Sequence, residues 1–251
     1  MDDAIRRHCM ELERCNQRGG RMLSVFDLLA AGTLDVDLTA YFLARISRGA
    51  SFLVGANPGG AGKTTVMCAL LNFVPAGTSL AAATDDAVHR YSREEAGGRM
   101  CLICHEIGAG PYFAYLWGEP LRRYCASSVN GCMLATNLHA DDIDEAHMQV
   151  CVENEVPYAH FTAFQLLAFM RVEGGWQTPR RRVACVYASN GHEPHQLVYA
   201  HGRGLLPGEA GRDGPWFQAC RDFIARNAGG AVKTVETVRS LVLDFLAGDG
   251  G

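Results

Sequence analysis

The chain of 251 residues lacks several features that would decide its class at once. It has no apolar run of the roughly 18 residues that a membrane-spanning helix needs. Residues 1–20 are charged and have no apolar segment like that of a secretory signal. The net charge of −4 gives no indication of nucleic-acid binding through bulk charge, and no internal repeat is visible. We therefore expect a cytoplasmic globular protein whose 48% hydrophobic residues form a substantial core.

The ten cysteines do not form the pattern of a disulfide framework. Several stand singly within apolar runs, as small buried hydrophobic residues do: Cys68, Cys151, Cys185 and Cys220. This usage is typical of a reducing cytoplasm. The segment CLICH at 101–105 matches the haem-attachment string, but it lies in a strand-like run whose neighbouring residues point to opposite faces. Neither haem nor metal binding is expected there.

Apolar runs and helical stretches alternate through residues 50–155, which predicts a mostly parallel sheet covered by helices. The predicted strands are 50–56, 78–84, 99–106 and 131–138. The predicted helices are 63–74, 111–127 with a break at Pro120, and 141–155. Before them, the pattern predicts a helix within 1–20 and two short helices at 23–31 and 38–46, the last capped by Asp37.

The pattern changes after Pro157. Strand-like runs at 164–172 and 182–188 predict a β-hairpin, followed by a third strand at 196–200. A Gly/Pro-rich linker at 202–215 precedes amphipathic helices at 216–226 and 232–247. The predicted parts are an N-terminal helical segment, a core, and a linker with a C-terminal helical extension: 1–48, 49–201 and 202–251.

The segment SFLVGANPGGAGKTT, residues 51–65, has the layout of a phosphate-binding loop. Loop N–H groups and the positive end of the following helix dipole would bind phosphate, with Lys63 at the β- and γ-phosphates and the Thr64 hydroxyl on Mg²⁺. The motif expects glycine at Asn57, a residue type that tolerates positive φ better than most. The predicted nucleotide-binding residues are Asn57, Pro58, Gly59, Gly60, Ala61, Gly62, Lys63, Thr64 and Thr65.

Further polar residues follow the other predicted strands: Asp85 and Asp86, Glu106, and His139. The carboxyl ends of parallel strands meet at one edge of a sheet, so we expect these residues beside the loop. A nucleotide hydrolase needs carboxylates for water and Mg²⁺, and a polar group at the γ-phosphate. Each of these residues also has a simpler interpretation. The aspartates could cap a helix, Glu106 could be a solvated strand end, and His139 could be a structural histidine.

The order of these motifs resembles the type II/type IV secretion and pilus ATPases, especially the branch serving tight-adherence pili and conjugative secretion. The resemblance covers about residues 38–200. It is carried by GANPGGAGKTT for the phosphate loop, ALLNFVPAGTSLAAATDD for the acidic box, LICHE for Walker B, TNLHAD for the histidine box and EGGWQTPRRRVACVYASNGHE for a final hairpin.

The resemblance implies an α/β fold with a RecA-like P-loop core, a C-terminal β-hairpin and a small helical tail, which binds ATP and Mg²⁺ and hydrolyses ATP. Asp85, with Asp86 beside it, would act as general base, Glu106 would hold a Mg²⁺-bound water, and His139 would face the γ-phosphate. The implied protein is a homo-oligomer, a hexameric ring, that works with membrane-bound secretion or pilus platform proteins. It would lie in the cytoplasm or peripherally at the inner membrane, without direct nucleic-acid binding.

The chain departs from the family pattern between the acidic box and Walker B. Asp85 replaces a glutamate, and His105 replaces a glycine. The segment from Asp86 to Glu106 is much shorter than in the family, where it carries arginines that complete the nucleotide site. Three arginines lie in it, without alignment to those of the family: Arg90, Arg93 and Arg99.

Two other hypotheses stay open. The short segment favours a catalytically weak nucleotide-binding regulator or assembly partner with the same fold. The string PGGAGKTT also resembles the loop of partitioning ATPases of the deviant Walker type, although Pro58 occupies the position of their signature lysine.

Overall fold

The structure, a computed structural model, is an α/β fold built around a mixed, largely parallel sheet. It describes residues 2–16, 19–57, 59–92, 99–174, 178–207, 214–230 and 234–248. The strands are β1 (Phe52–Gly55), β2 (Ser79–Ala82), β3 (Met100–Ile107), β4 (Tyr115–Leu116), β5 (Met133–Leu138), β6 (Leu166–Glu173), β7 (Arg180–Ala188), β8 (Gln196–Ala200) and β9 (Gly204–Leu205).

Helices cover the sheet. They are α1 (Asp3–Cys15), α2 (Val25–Ala30), α3 (Val36–Ile46), α4 (Lys63–Leu71), α5 (Asp85–Tyr91), α6 (Glu119–Ala126), α7 (Ile143–His147), α8 (Tyr158–Phe161), α9 (Pro215–Ala228) and α10 (Val235–Gly248). A 3₁₀ turn, Ser127–Asn130, follows α6, and α7 continues into a π-helix, Met148–Glu153. Among the described residues, no helix combines the length and apolarity that crossing a membrane requires.

The strand order in the described sheet is β2-β3-β5-β1-β6-β7-β8-β9, with β4 paired to β3. The strands from β2 to β6 pair in parallel, and the hairpin β6–β7 begins an antiparallel portion. Strand β1 is therefore internal, hydrogen-bonded to β5 on one side and to β6 on the other. All its residues are buried, which is why the sequence there is apolar without alternation.

Two hydrophobic clusters pack on opposite faces of the sheet, as the two-residue period of a strand requires. In β1, Phe52 and Val54 join one cluster and Leu53 joins the other. The first cluster contains side chains of α1–α4, α9 and α10, and the second contains side chains of α5–α8. The strand that leads into the loop is thus held between two packed layers.

The predicted strands and most of the predicted helices are present, and the hairpin and third strand are confirmed. The predicted linker contributes β9, which pairs with β8; residues 208–213 lie outside the described part of the chain. The predicted helix at 141–155 is divided between α7 and the π-helix.

Two local predictions were wrong. Asp35, not Asp37, caps α3: its carboxylate accepts the Leu38 N–H at 2.8 Å, while Asp37 pairs with Arg221 of α9. The predicted helix at 111–127 exists only from Glu119 onward. A proline in the first turn removes an N–H that has no helical partner, so Pro120 marks the start of α6 and does not break a longer helix.

Candidate functional site

A cavity of about 660 Å³ lies beside the loop that connects β1 to α4. Its walls come from the loop and α4, from the ends of β3 and β5, from the end of α1, from residues 19–33 with α2, and from the β6–β7 hairpin. These segments are far apart in the chain, and the parallel strand order brings them to the carboxyl edge of the sheet. The cavity is thus where ligands of open α/β sheets bind.

The loop exposes backbone donors at the beginning of α4. Gly60 and Gly62 have positive φ angles of 82° and 97°, a conformation that side chains with a Cβ rarely adopt. Gly62 precedes the helix, and no side chain caps it. The N–H groups of the first turn are therefore available to an anion. Gly59 to Thr65 all line the cavity; Pro58 lies outside the described residues.

Lys63 is buried at the inner wall of the cavity. Its Nζ donates to the Ala56 carbonyl at 3.1 Å and lies 3.6 Å from Glu106 Oε2. The same Nζ is 3.3 Å and 3.4 Å from the two ring nitrogens of His139. Three residues that the sequence placed in separate motifs are therefore in contact.

Glu106 is buried at the end of β3, although the sequence equally allowed a solvated strand end. Burial raises the pKa of its carboxyl, and the neighbouring charges of Lys63 and His139 oppose that rise without cancelling it. Its Oε1 has no hydrogen-bond partner among the described residues. An unpaired buried carboxylate oxygen is costly, and a ligand-bound water is one group that would satisfy it.

His139 follows β5, and its side chain is half exposed at the mouth of the cavity. Its Nδ1–H donates to the Asn57 carbonyl at 3.0 Å, which leaves Nε2 as the acceptor facing Lys63 Nζ. Nε2 also lies 3.9 Å from Glu106 Oε2. The ring therefore connects the loop backbone to the buried ion pair.

Asn57 has a different role from the one that its tolerance of positive φ suggested. Its φ is not positive. Its backbone N–H and side-chain amide donate to Asp141 at 2.8 Å and 3.2 Å, and the amide also donates to Glu145 at 3.0 Å. Asn57 therefore ties the start of the loop to the acidic beginning of α7 with two side-chain bonds that glycine could not make.

Asn137 is a site residue that the sequence interpretation missed. Its buried side-chain amide donates to the His105 carbonyl at 2.8 Å and lies 3.4 Å from Thr64 Oγ1. It thereby joins β5, β3 and α4 directly beneath the loop. The available signal was a polar residue within an apolar run, two positions before His139.

Asp85 and Asp86 lie in the first turn of α5, are exposed and do not line the cavity. The Thr84 hydroxyl, not a carboxylate, caps this helix by accepting the Ala87 N–H at 3.3 Å. Strand β2 lies three positions from β1, a lateral separation of roughly 14 Å at the usual strand spacing. The assignment of Asp85 as general base therefore stays a prediction without support from a contact.

The two described arginines of the short segment, Arg90 and Arg99, are not in the cavity lining either. Arg90 is exposed in the last turn of α5, and Arg99 precedes β3 at the opposite edge of the sheet. Arg93 lies outside the described residues. Two arginines of the hairpin line the cavity in their place: Arg180 and Arg181.

His105, which replaces an expected glycine, is buried against the end of α1. Its Nε2 lies 3.3 Å from Cys15 Sγ, and its ring makes an edge contact with Phe113. Hydrogen bonds that Cys15 Sγ accepts from Cys68 and from His105 lower the pKa of Cys15 despite the opposing effect of burial. Histidine here therefore holds α1 against the cavity wall.

No group of three or more His, Cys, Asp or Glu side chains within the described ranges forms a ready-made metal site. Mg²⁺ is commonly bound through substrate phosphates and waters with one or two protein oxygens. The Thr64 hydroxyl and the unpaired Glu106 oxygen are protein groups of that kind.

In comparisons with protein-family models and with curated proteins, nothing matches this chain.

Proposed function

We propose that the protein binds ATP with Mg²⁺ in this cavity and hydrolyses it, as a P-loop ATPase of the secretion and pilus type. The observation that carries the proposal is the contact of Lys63 Nζ with both Glu106 and His139 at the uncapped beginning of α4. These residues belong to three motifs separated along the chain, and the binding and hydrolysis of a nucleoside triphosphate would use them together.

The finer fold, a RecA-like P-loop core, belongs to the same proposal. It is supported by the position of β5 between β1 and β3. The loop follows β1, His139 follows β5 and Glu106 lies at the end of β3. These three adjacent strands would therefore supply the contacts to the phosphates and to the Mg²⁺-bound water from one continuous edge of the sheet.

Each side chain has a distinct role in the proposed reaction. The loop N–H groups and Lys63 bind the phosphate chain, and Thr64 with Glu106 would hold the Mg²⁺ ion and its water. The metal neutralises phosphate charge when bound. Within the described lining, Glu106 is the carboxylate that can orient the attacking water, and its raised pKa brings it closer to that of an effective base at neutral pH. His139 faces the γ-phosphate and senses it through Lys63 and the Asn57 carbonyl, which its ring contacts.

A second candidate is a nucleotide-binding regulator with weak hydrolysis. The exposed position of Asp85, outside the cavity lining, favours it. The two candidates differ in turnover and not in binding.

The test measures ATP binding by calorimetry and steady-state ATP hydrolysis for the wild type, Lys63→Ala and Glu106→Gln. Arg226→Ala, on the exposed face of α9, is the control for a lost surface cation. We expect Lys63→Ala to abolish binding and Glu106→Gln to retain binding but lose turnover. Absence of ATP binding by the wild type would refute the proposal, and binding with only background hydrolysis would favour the regulator.

The oligomeric ring and its membrane-bound secretion or pilus platform proteins are the part of the proposal that rests on the motif order alone. Light scattering with and without ATP and Mg²⁺ tests the ring. A strict monomer under both conditions contradicts it.

A further inference from the structure

The β6–β7 hairpin carries two cationic side chains to the open side of the cavity, Arg180 and Arg181. Both are exposed. Among the described residues, no carboxylate lies within salt-bridge distance of either guanidinium. Their positive charge is therefore directed at the cavity without a neutralising partner.

Arg181 is fixed against the loop itself. Its Nε–H donates to the Gly60 carbonyl at 2.8 Å. Its Cδ passes so close to Gly62 that a Cβ there would lie only 3.2 Å away. The two loop glycines with positive φ thus contact one side chain from a strand more than a hundred residues later in the chain.

The hydrogen bond to Gly60 uses one of the five N–H donors of the guanidinium. The described residues supply no hydrogen-bond acceptor for the other four. A guanidinium presents these donors in a planar fork that matches two phosphate oxygens at once. The side chain is therefore held in place by one donor while the others remain available to a ligand.

The charges of the residues that line the cavity also indicate Arg181. The Lys63 ammonium is matched by the Glu106 carboxylate at 3.6 Å, so this pair adds no net positive charge. Arg21, which also lines the cavity, is paired with Asp27 at 2.9 Å. The uncompensated cations of the described lining are therefore the two hairpin arginines, and Arg181 is the one anchored to the loop.

We propose that Arg181 binds the phosphate chain of the nucleotide within the same subunit, in place of the arginines expected between Asp86 and Glu106. This inference rests on the proposed nucleotide site. It assigns the missing positive charge to the hairpin, which reaches the loop because β6 pairs directly with β1.

Arg182 provides a matched control next in the chain. Its Nε pairs with Glu173 at 3.0 Å, its Nη1 donates to the Gly32 carbonyl, and it does not line the cavity. A change at Arg182 removes the same charge and a similar number of contacts without touching the loop.

The experiment compares ATP and AMP binding for the wild type, Arg181→Gln, Arg181→Lys and Arg182→Gln, with unfolding of each protein measured without nucleotide. We expect Arg181→Gln to weaken ATP binding about ten-fold or more, since a charge-assisted hydrogen bond is lost, and to weaken AMP binding much less. Arg181→Lys should recover part of the ATP affinity by restoring the charge without the fork. Arg182→Gln should bind ATP within about two-fold of the wild type.

The outcomes separate this inference from the proposed function. If the wild type and Arg181→Gln bind ATP equally, the Arg181 proposal is overturned while the nucleotide site stands. Equal losses for ATP and AMP, together with a lowered unfolding midpoint, assign Arg181 a purely structural role and also overturn it. If the wild type itself binds no ATP, the proposed function fails, and this inference fails with it.

Discussion

The Asp141 carboxylate accepts two hydrogen bonds from Asn57, one from the backbone N–H at 2.8 Å and one from the side-chain amide at 3.2 Å. These two hydrogen bonds hold the beginning of the loop next to α7. They explain how asparagine serves where the phosphate-loop motif expects glycine.

Replacing Asn57 with glycine, although it restores the motif, should destabilise the protein. The backbone bond survives, but the amide bonds to Asp141 and Glu145 are lost and the loop gains conformational freedom. We expect a loss of about 0.5–1.5 kcal/mol in the free energy of unfolding, measured by urea denaturation. Asp141→Ala should cost more than Asp86→Ala, a control at an exposed aspartate. Unchanged or increased stability of Asn57→Gly would contradict this assignment.

The replacement of glycine by alanine should be costly at Gly55 and nearly neutral at Gly59. A Cβ on Gly55 would lie 2.6 Å from Phe169 Cδ1 and 2.7 Å from the backbone oxygen of Ala140. Relief of such overlap in a packed sheet typically costs about 1–3 kcal/mol or more. A Cβ on Gly59 meets nothing within 4 Å, and its φ is not positive. Urea denaturation should show a large loss for Gly55→Ala and a change within about 0.5 kcal/mol for Gly59→Ala.

The buried carboxyl of Glu106 should make stability depend on pH. Because its pKa is raised in the folded protein, the folded state binds more protons than the unfolded state between the two pKa values. Stability from this group is therefore fully present below the unfolded pKa and is lost as pH rises through the folded pKa. Glu106→Gln removes this loss.

Thermal unfolding measured from pH 4 to pH 8 tests whether Glu106 lowers the stability of the protein as the pH rises. The difference in midpoint between Glu106→Gln and the wild type should shift in favour of the variant as pH rises through the carboxyl titration. A difference that is constant with pH, or that shifts in favour of the wild type, would contradict the raised pKa.

Arg239 of α10 should be the most sensitive cation outside the cavity. Its guanidinium is buried and donates to three carbonyls that follow α4, those of Asn72, Val74 and Pro75. Burial lowers its pKa to about 10, so the charge persists at neutral pH. We expect Arg239→Met to lose about 3 kcal/mol in urea denaturation because it leaves buried carbonyls unsatisfied. Arg226→Ala, whose guanidinium is exposed, should change stability by less than about 0.5 kcal/mol; equal effects would refute the role of Arg239.

The elements of the fold that depend on local pattern were predictable. The apolar run of β1, the glycines of the loop and the helix that begins at Lys63 are adjacent in the chain, and their conformations follow from neighbouring residues. The hairpin β6–β7 was equally accessible, since two apolar runs with a short connection pair locally. The error at Pro120 arose because proline suits the first turn of a helix as well as it breaks an interior.

The candidate site was predictable only in part. Lys63, Glu106 and His139 were placed correctly at one edge because parallel strands share an edge. Asp85 also follows the carboxyl end of a parallel strand, but that strand, β2, lies three positions from β1 in the sheet. Asn137 was missed because a polar residue within an apolar run does not reveal which strand its side chain contacts.

The sequence by itself determined the glycine-rich loop before α4 and the alternation that gives a sheet covered by helices, because both depend on residues close in the chain. Only the tertiary structure decided which side chains reach the loop. The lateral order of strands is set by long-range pairing and packing, so it excluded Asp85 from the cavity lining and brought Arg181 from the hairpin onto Gly60.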